Sequence, residues 1–110
     1  MTVGEMAKAL GLSAVYLADE ARPVPAAYTS DLLSDAMGNA PDEAALITIQ
    51  AHKNTVAVAT LKDSPAIILC NDRPVPDDMV EAVKSEGISL FVTGDNQFTV
   101  SGKLYPLFGR

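Results

Sequence analysis

The residues best suited to chemistry stand in one run, Thr48-Ile49-Gln50-Ala51-His52-Lys53-Asn54, which holds the single histidine of the chain. It follows an apolar stretch directly. Where a buried strand passes into a helix, free backbone N–H groups and the helix dipole favour an anion such as phosphate. His52 beside Lys53 suits that contact. A second reading is that Gln50, His52 and Asn54 cap the helix and bind its backbone. The run lacks the glycine spacing of a nucleotide-hydrolase phosphate loop. One His and no strained Gly-x-Ser-x-Gly turn leave no catalytic triad. With one His and one Cys, a metal site would have to rest on carboxylates. Asp77 and Asp78 read instead as a helix cap, and Asp31 and Asp35, four apart on one helix face, as a solvated edge. No catalytic residue, metal ligand or cofactor site is assigned, so the chain reads as a non-enzyme.

Positioning that run takes two strands and a crossover. Leu46, Ile47 and Ile49, then Ala66 to Leu69, are short uncharged runs rich in β-branched residues, as in strands covered on both faces. Residues 55–60 alternate in size and pass for a strand by propensity. Parallel strands need a connection of roughly a dozen residues, usually helical, so His52 to Lys62 is predicted to be a helix in a right-handed βαβ unit. Before it, Thr2 and Glu5 form a capping box for a helix carrying Val3, Met6, Ala7 and Leu10 and stopped by Gly11. Ala14 to Ala18 reads as a strand, Asp19 to Pro25 as a loop, and Ala26 to Tyr28 as a short strand. Ser30 precedes a helix with Asp31 and Asp35 that ends at Gly38 to Pro41. After the central unit, Asp77 is predicted to cap a helix running to Gly87. Ile88 to Thr93 is a strand, Gly94 to Asn96 a turn, and Gln97 to Leu107 a helix finished by Pro106. Arg22-Pro-Val-Pro25 recurs as Arg73-Pro-Val-Pro76, two like solutions to tight connections rather than a repeat architecture. The sum is one α/β domain over residues 1–110, three-layered, with a mainly parallel sheet and helices on both faces. Ligands of such folds lie at the carboxyl ends of the strands. Here those are the loops Tyr28 to Asp31, Thr48 to Asn54, Cys70 to Arg73 and Thr93 to Asn96.

The chain is long enough for a core without disulfides or metal clips. Aromatics at 5% and no Trp make that core aliphatic. A net charge of −6 and a pI of 4.5, with scattered Lys and Arg, argue against nucleic acid and anionic membranes as partners. The single Cys, Cys70, reads as a small buried hydrophobe, and a cytoplasmic location is expected, without signal peptide or membrane span. A mean hydropathy of +0.17 points to apolar surface in need of a partner.

At Tyr28-Thr-Ser-Asp-Leu-Leu-Ser-Asp, Leu46-Ile-Thr-Ile-Gln-Ala-His-Lys-Asn and Val56-Ala-Val-Ala, and on to Gly102-Lys-Leu-Tyr-Pro-Leu, the chain resembles the DRTGG domain family. Such domains are similar to the N-terminal domain of HPr kinase/phosphorylase and of Mur ligases. The resemblance implies a regulatory, ligand-sensing module, a homodimer, with adenine nucleotides or other anions as ligands near Arg22, Tyr28, Asp31, Gln50, His52 and Asn54. The naming motif, sought as Asp-Arg and Thr-Gly-Gly just before Tyr28, is degenerate there, since residues 21–27 keep only Arg22. Ala26 and Ala27 stand where glycines would allow close backbone approach. The alternative is an accessory protein docking on a redox enzyme complex of hydrogenase type, its ligand site decayed.

Overall fold

The protein is described by a computed structural model over residues 1–109. Its elements run α1 (Val3–Leu10), β1 (Ser13–Tyr16), β2 (Ala26–Thr29), α2 (Leu33–Asn39), β3 (Ala44–Thr48), α3 (Lys53–Leu61), β4 (Ala66–Leu69), α4 (Asp77–Glu86), β5 (Ser89–Val92) and α5 (Gln97–Leu104), closed by a 3-10 turn at Tyr105–Phe108. The five strands form one sheet in the order β1-β5-β4-β3-β2. β2, β3, β4 and β5 are parallel, and β1 adds an antiparallel edge.

Alternation of side chains along the central strands divides the core in two. Ala45 and Ile47 of β3, Ile68 of β4 and Phe91 of β5 face one way, onto Val3, Met6 and Leu10 of α1 and Val100 and Leu104 of α5. Leu46, Ile67, Leu69 and Leu90 face the other way, onto Ala36 of α2, Val56 and Ala59 of α3, and Met79 and Val83 of α4. This is the three-layer, mainly parallel α/β architecture expected. The three crossovers step across the sheet in one direction with α2, α3 and α4 on one face, as crossovers of one hand must. The ends of the chain, α1 and α5, then cover the opposite face.

The central βαβ unit forms where expected, and α1 carries its capping box. Glu5 N donates to Thr2 Oγ1 at 3.2 Å and Thr2 N to Glu5 Oε1 at 2.9 Å. Several ends differ. α2 starts at Leu33, with Leu32 at the cap position and no side-chain cap. Ser30 Oγ instead accepts from Leu32 N in a serine turn, which leaves Asp31 ahead of the helix rather than on one face with Asp35. Pro76, not Asp77, takes the cap position of α4, and both aspartates fall in its first turn, where they favour the dipole. The last helix is interrupted: α5 ends at Leu104, and Pro106 sits near the start of the 3-10 turn, where its missing N–H costs no bond.

Candidate functional site

Parallel strands place the ends of β2, β3, β4 and β5 on one edge of the sheet, and the polar run 48–54 emerges there. Its frame is tied from within. Asp31 crosses from the β2 end and accepts from Ile49 N at 3.0 Å and from Thr48 Oγ1 at 3.2 Å. Thr48 Oγ1 also accepts from Gln50 N at 3.1 Å. Thr55, fully buried, donates its hydroxyl to Gln50 O at 2.8 Å. His52 is the N-cap of α3, and its Nδ1 accepts from Asn54 N at 3.0 Å. The proton of the imidazole is then on Nε2, a donor on an exposed side chain. The capping reading of His52 therefore holds in the structure. What the turn presents outward is Gln50 and Asn54, both exposed, whose side chains make no hydrogen bond among the described residues.

The six residues named from sequence do not form one cluster. Gln50, His52 and Asn54 lie together on the β3–α3 turn, and Asp31 is packed against it. Tyr28 lies within β2 opposite Leu46, and its hydroxyl donates to Asp35 Oδ2 of α2 at 2.7 Å. That bond lowers the Asp35 carboxyl below its ordinary range, helped by Asn39, and raises the Tyr28 phenol. Arg22 precedes β2 and donates to the carbonyl and carboxylate of Asp63, at 2.7 and 3.1 Å, in the loop before β4. Arg22 thus sits at the opposite, amino-terminal edge of the sheet, apart from the others.

A second polar cluster stands on the same edge as the 48–54 turn. Asn71 and Asp72 both adopt left-handed backbone, with φ of 64° and 51°, conformations that Asn and Asp tolerate best after glycine. Their N–H groups donate to Asp95 O and Thr93 O, each at 3.0 Å, which clamps the β4 and β5 loops together. A Cβ on Gly94 would lie 3.0 Å from Asp72 Oδ2, so a larger residue there would push the Asp72 carboxylate aside. Lys103 Nζ reaches Asp95 Oδ2 at 2.8 Å, and Asn96 caps α5 by accepting from Thr99 N at 2.9 Å. These two loops were marked by their position after strands, but their pairing is invisible in sequence because 20 residues separate the two halves. Between the clusters, Cys70 is fully buried, and burial, then Asp31 and Asp95, push its thiol up to about 11. It stays protonated and is no nucleophile. Among the described residues no group of three or more His, Cys, Asp or Glu is arranged to hold a metal ion.

No family model matches the chain. Over 43 residues, 39% of this chain, it is 40% identical to an HPr kinase/phosphorylase of Streptococcus uberis, and the match takes in 14% of that protein. Across 94% of its length it superposes, at a TM-score of 0.74 and 13% identity, on a solved structure from Clostridium perfringens. That structure holds the CBS and DRTGG domains of a pyrophosphatase regulatory region, complexed with its activator diadenosine tetraphosphate. The fold is DRTGG-like. The chain spans less than half the length of either protein, with 45% of the pyrophosphatase chain covered. Within this DRTGG-like fold, Asp-Arg and Thr-Gly pairs occur as Asp72-Arg73 and Thr93-Gly94, two separate segments that the hydrogen bonds above bring side by side. Residues 21–27, by contrast, lie at the far edge with Arg22.

Proposed function

We propose that the chain is a non-enzymatic regulatory module that binds an adenine nucleotide or other anionic ligand at the carboxyl edge of its parallel strands. The observation that carries this reading is the β3–α3 turn, where an internally bonded frame holds Gln50 and Asn54 outward with unused hydrogen-bonding groups beside the Nε2–H of His52. A rigid frame with free polar heads orients a ligand at little entropic cost. The fold likeness to a regulatory region solved with an adenine-containing activator supports the ligand class. Binding is expected to involve Gln50, His52 and Asn54, with Asp31 holding the turn.

The test is a thermal-shift series with adenine nucleotides, dinucleoside polyphosphates and simple anions. His52→Ala removes a cap as well as a contact, costing about 0.5–2 kcal/mol of stability. Gln50→Ala, which removes a side chain that makes no hydrogen bond among the described residues, is therefore the cleaner probe. A stabilisation lost in Gln50→Ala supports the site, and a shift identical in both proteins counts against it.

A second reading, docking on a larger enzyme complex of redox type, draws on a different observation. Phe98, Tyr105 and Leu107 expose 87%, 60% and 45% of their surface along α5 and the 3-10 turn. Absence of any ligand shift, together with capture of such a complex that fails with Phe98→Ser, would favour it.

A further inference from the structure

The two edges of the sheet are finished differently. β1 carries a bulge between Ala14 and Tyr16, a device that turns an edge away from further pairing. β2, Ala26-Ala27-Tyr28-Thr29, has no charge, proline or bulge, and its register with β3 is unbroken. Backbone groups alternate between the two sides of a strand, and Ser30 N, just past β2, donates inward to Ile47 O at 3.1 Å. The N–H and C=O groups of Ala27 and Thr29 therefore point out of the sheet, and no hydrogen bond reaches them among the described residues. Ala27 and Thr29 also line a cavity of about 140 Å³ between β2 and α5, together with Ile47, Leu104 and Tyr105. Beside it, Thr29 Oγ1 and Ser101 Oγ share a hydrogen bond of 2.7 Å. On the other face of β2, Tyr28 donates to Asp35, whose carboxylate is in no ion pair among the described residues.

We infer that the open edge of β2 takes an extended segment of a partner protein, with branched aliphatic side chains on one face and basic side chains on the other. Main-chain bonds to Ala27 and Thr29 give such a segment its affinity, and its alternate side chains give selection. A strand added there lies about 4.8 Å from β2, and its side chains alternate between the two faces as those of β2 do. Those on the α5 side enter the cavity beside Ala27 and Thr29. Its volume is close to the roughly 150 Å³ that admits one benzene ring, so it has room for one branched aliphatic side chain. Those on the α2 side run beside Tyr28, where a lysine extends toward the Asp35 carboxylate. The net charge of −6 also draws a basic segment and repels an acidic one. The inference uses no residue of the 48–54 turn and stands without the ligand proposed above. Phe98 and Leu107, the exposed groups of the docking reading, take no part in it.

Amide NMR on the whole, nitrogen-labelled chain tests it with three capped peptides at millimolar concentration: Lys-Val-Lys-Val-Lys-Val, Glu-Val-Glu-Val-Glu-Val and Lys-Ser-Lys-Ser-Lys-Ser. The first is expected to shift the amides of Ala27 and Thr29 and to slow their hydrogen exchange. The second lacks the charge for Asp35 and the third the side chain for the cavity, so both should leave these amides in place. Thr29→Pro removes an N–H that points out of the sheet while sparing the bonds to β3, and should abolish the response. Asp35→Asn keeps an acceptor for Tyr28 and removes the charge, and should weaken binding about two- to fivefold, as loss of an exposed ion pair does. It keeps the test decisive if Thr29→Pro fails to fold. No shift at Ala27 and Thr29 with the first peptide would overturn the proposal, as would an equal response to all three. A response that survives in folded Thr29→Pro would overturn it too. Broadening of these amides with protein concentration alone would give the edge to a second copy instead.

Discussion

Tyr28 and Asp35 join β2 to α2 through one short hydrogen bond, and its pH dependence follows from the two shifts. The Asp35 carboxyl titrates below its ordinary 3.8 in the folded protein, so the bond stabilises above that value and the contribution is lost as pH falls through the lowered one. The Tyr28 phenol titrates above its ordinary 10.0, so its contribution is complete below that value and is lost as pH rises through the raised one. Tyr28→Phe should therefore lower the melting temperature at neutral pH, with the difference from wild type shrinking below pH 3.8; an equal loss at pH 7 and pH 2.5 would contradict the assignment. Asp31 supports a different prediction. Asp31→Ala strands Ile49 N–H and the Thr48 hydroxyl, at a cost of about 1–3 kcal/mol, whereas Asp31→Asn keeps an acceptor and should lose less in a urea melt. The family resemblance put Asp31 near a ligand, and its spacing from Asp35 read as a solvated helix edge. Only the fold brings it against β3. Cys70, buried and protonated, should resist iodoacetamide at pH 8 until the protein is unfolded, and rapid native labelling would show that the strand end opens.

The elements most legible in sequence were those whose signals are local or set by chain length. The box of Thr2 and Glu5, the glycine stops at Gly11 and Gly87, and the spacing of two buried strands around an uncharged crossover each determine an element with little help from elsewhere. Gly87 ends α4 in left-handed backbone at φ 67°, so Gly87→Ala should cost about 1–2 kcal/mol, measured by urea denaturation. Helix starts were less legible. Ser30 and Asp77 have the right chemistry for caps, yet a serine turn at Ser30 delays α2 and Pro76 already takes the cap of α4. In both places a nearby turn or proline, not cap preference, sets the first residue. The clamp of Asp72 on Thr93 and Gly94 was illegible for another reason, since it depends on β4 and β5 being neighbours. Gly94→Ala, with its Cβ pressed to 3.0 Å from Asp72 Oδ2, should loosen this pair of loops and lower the melting temperature.

At the scale of the whole molecule, a sheet with four parallel strands gathers the polar loops after those four strands on one edge, and covers both faces with an aliphatic core. That division leaves the polar turn of Gln50, His52 and Asn54 on one edge, a charge-free outer face on α3, and exposed Phe98 and Tyr105 on α5 and the 3-10 turn. A net charge of −6 makes any anionic ligand depend on local donors rather than on the overall field. On the proposed reading those local donors are Gln50, His52 and Asn54, on the turn that Asp31 holds. A ligand that binds only the folded chain must raise its melting temperature, by an amount that grows with concentration over the dissociation constant. The decisive measurement is the melting temperature with and without adenine nucleotides, in the wild type and in Gln50→Ala. A concentration-dependent rise in the wild type that Gln50→Ala reduces or abolishes is the expected result. No rise across the nucleotides and simple anions would contradict a ligand-sensing role for this edge.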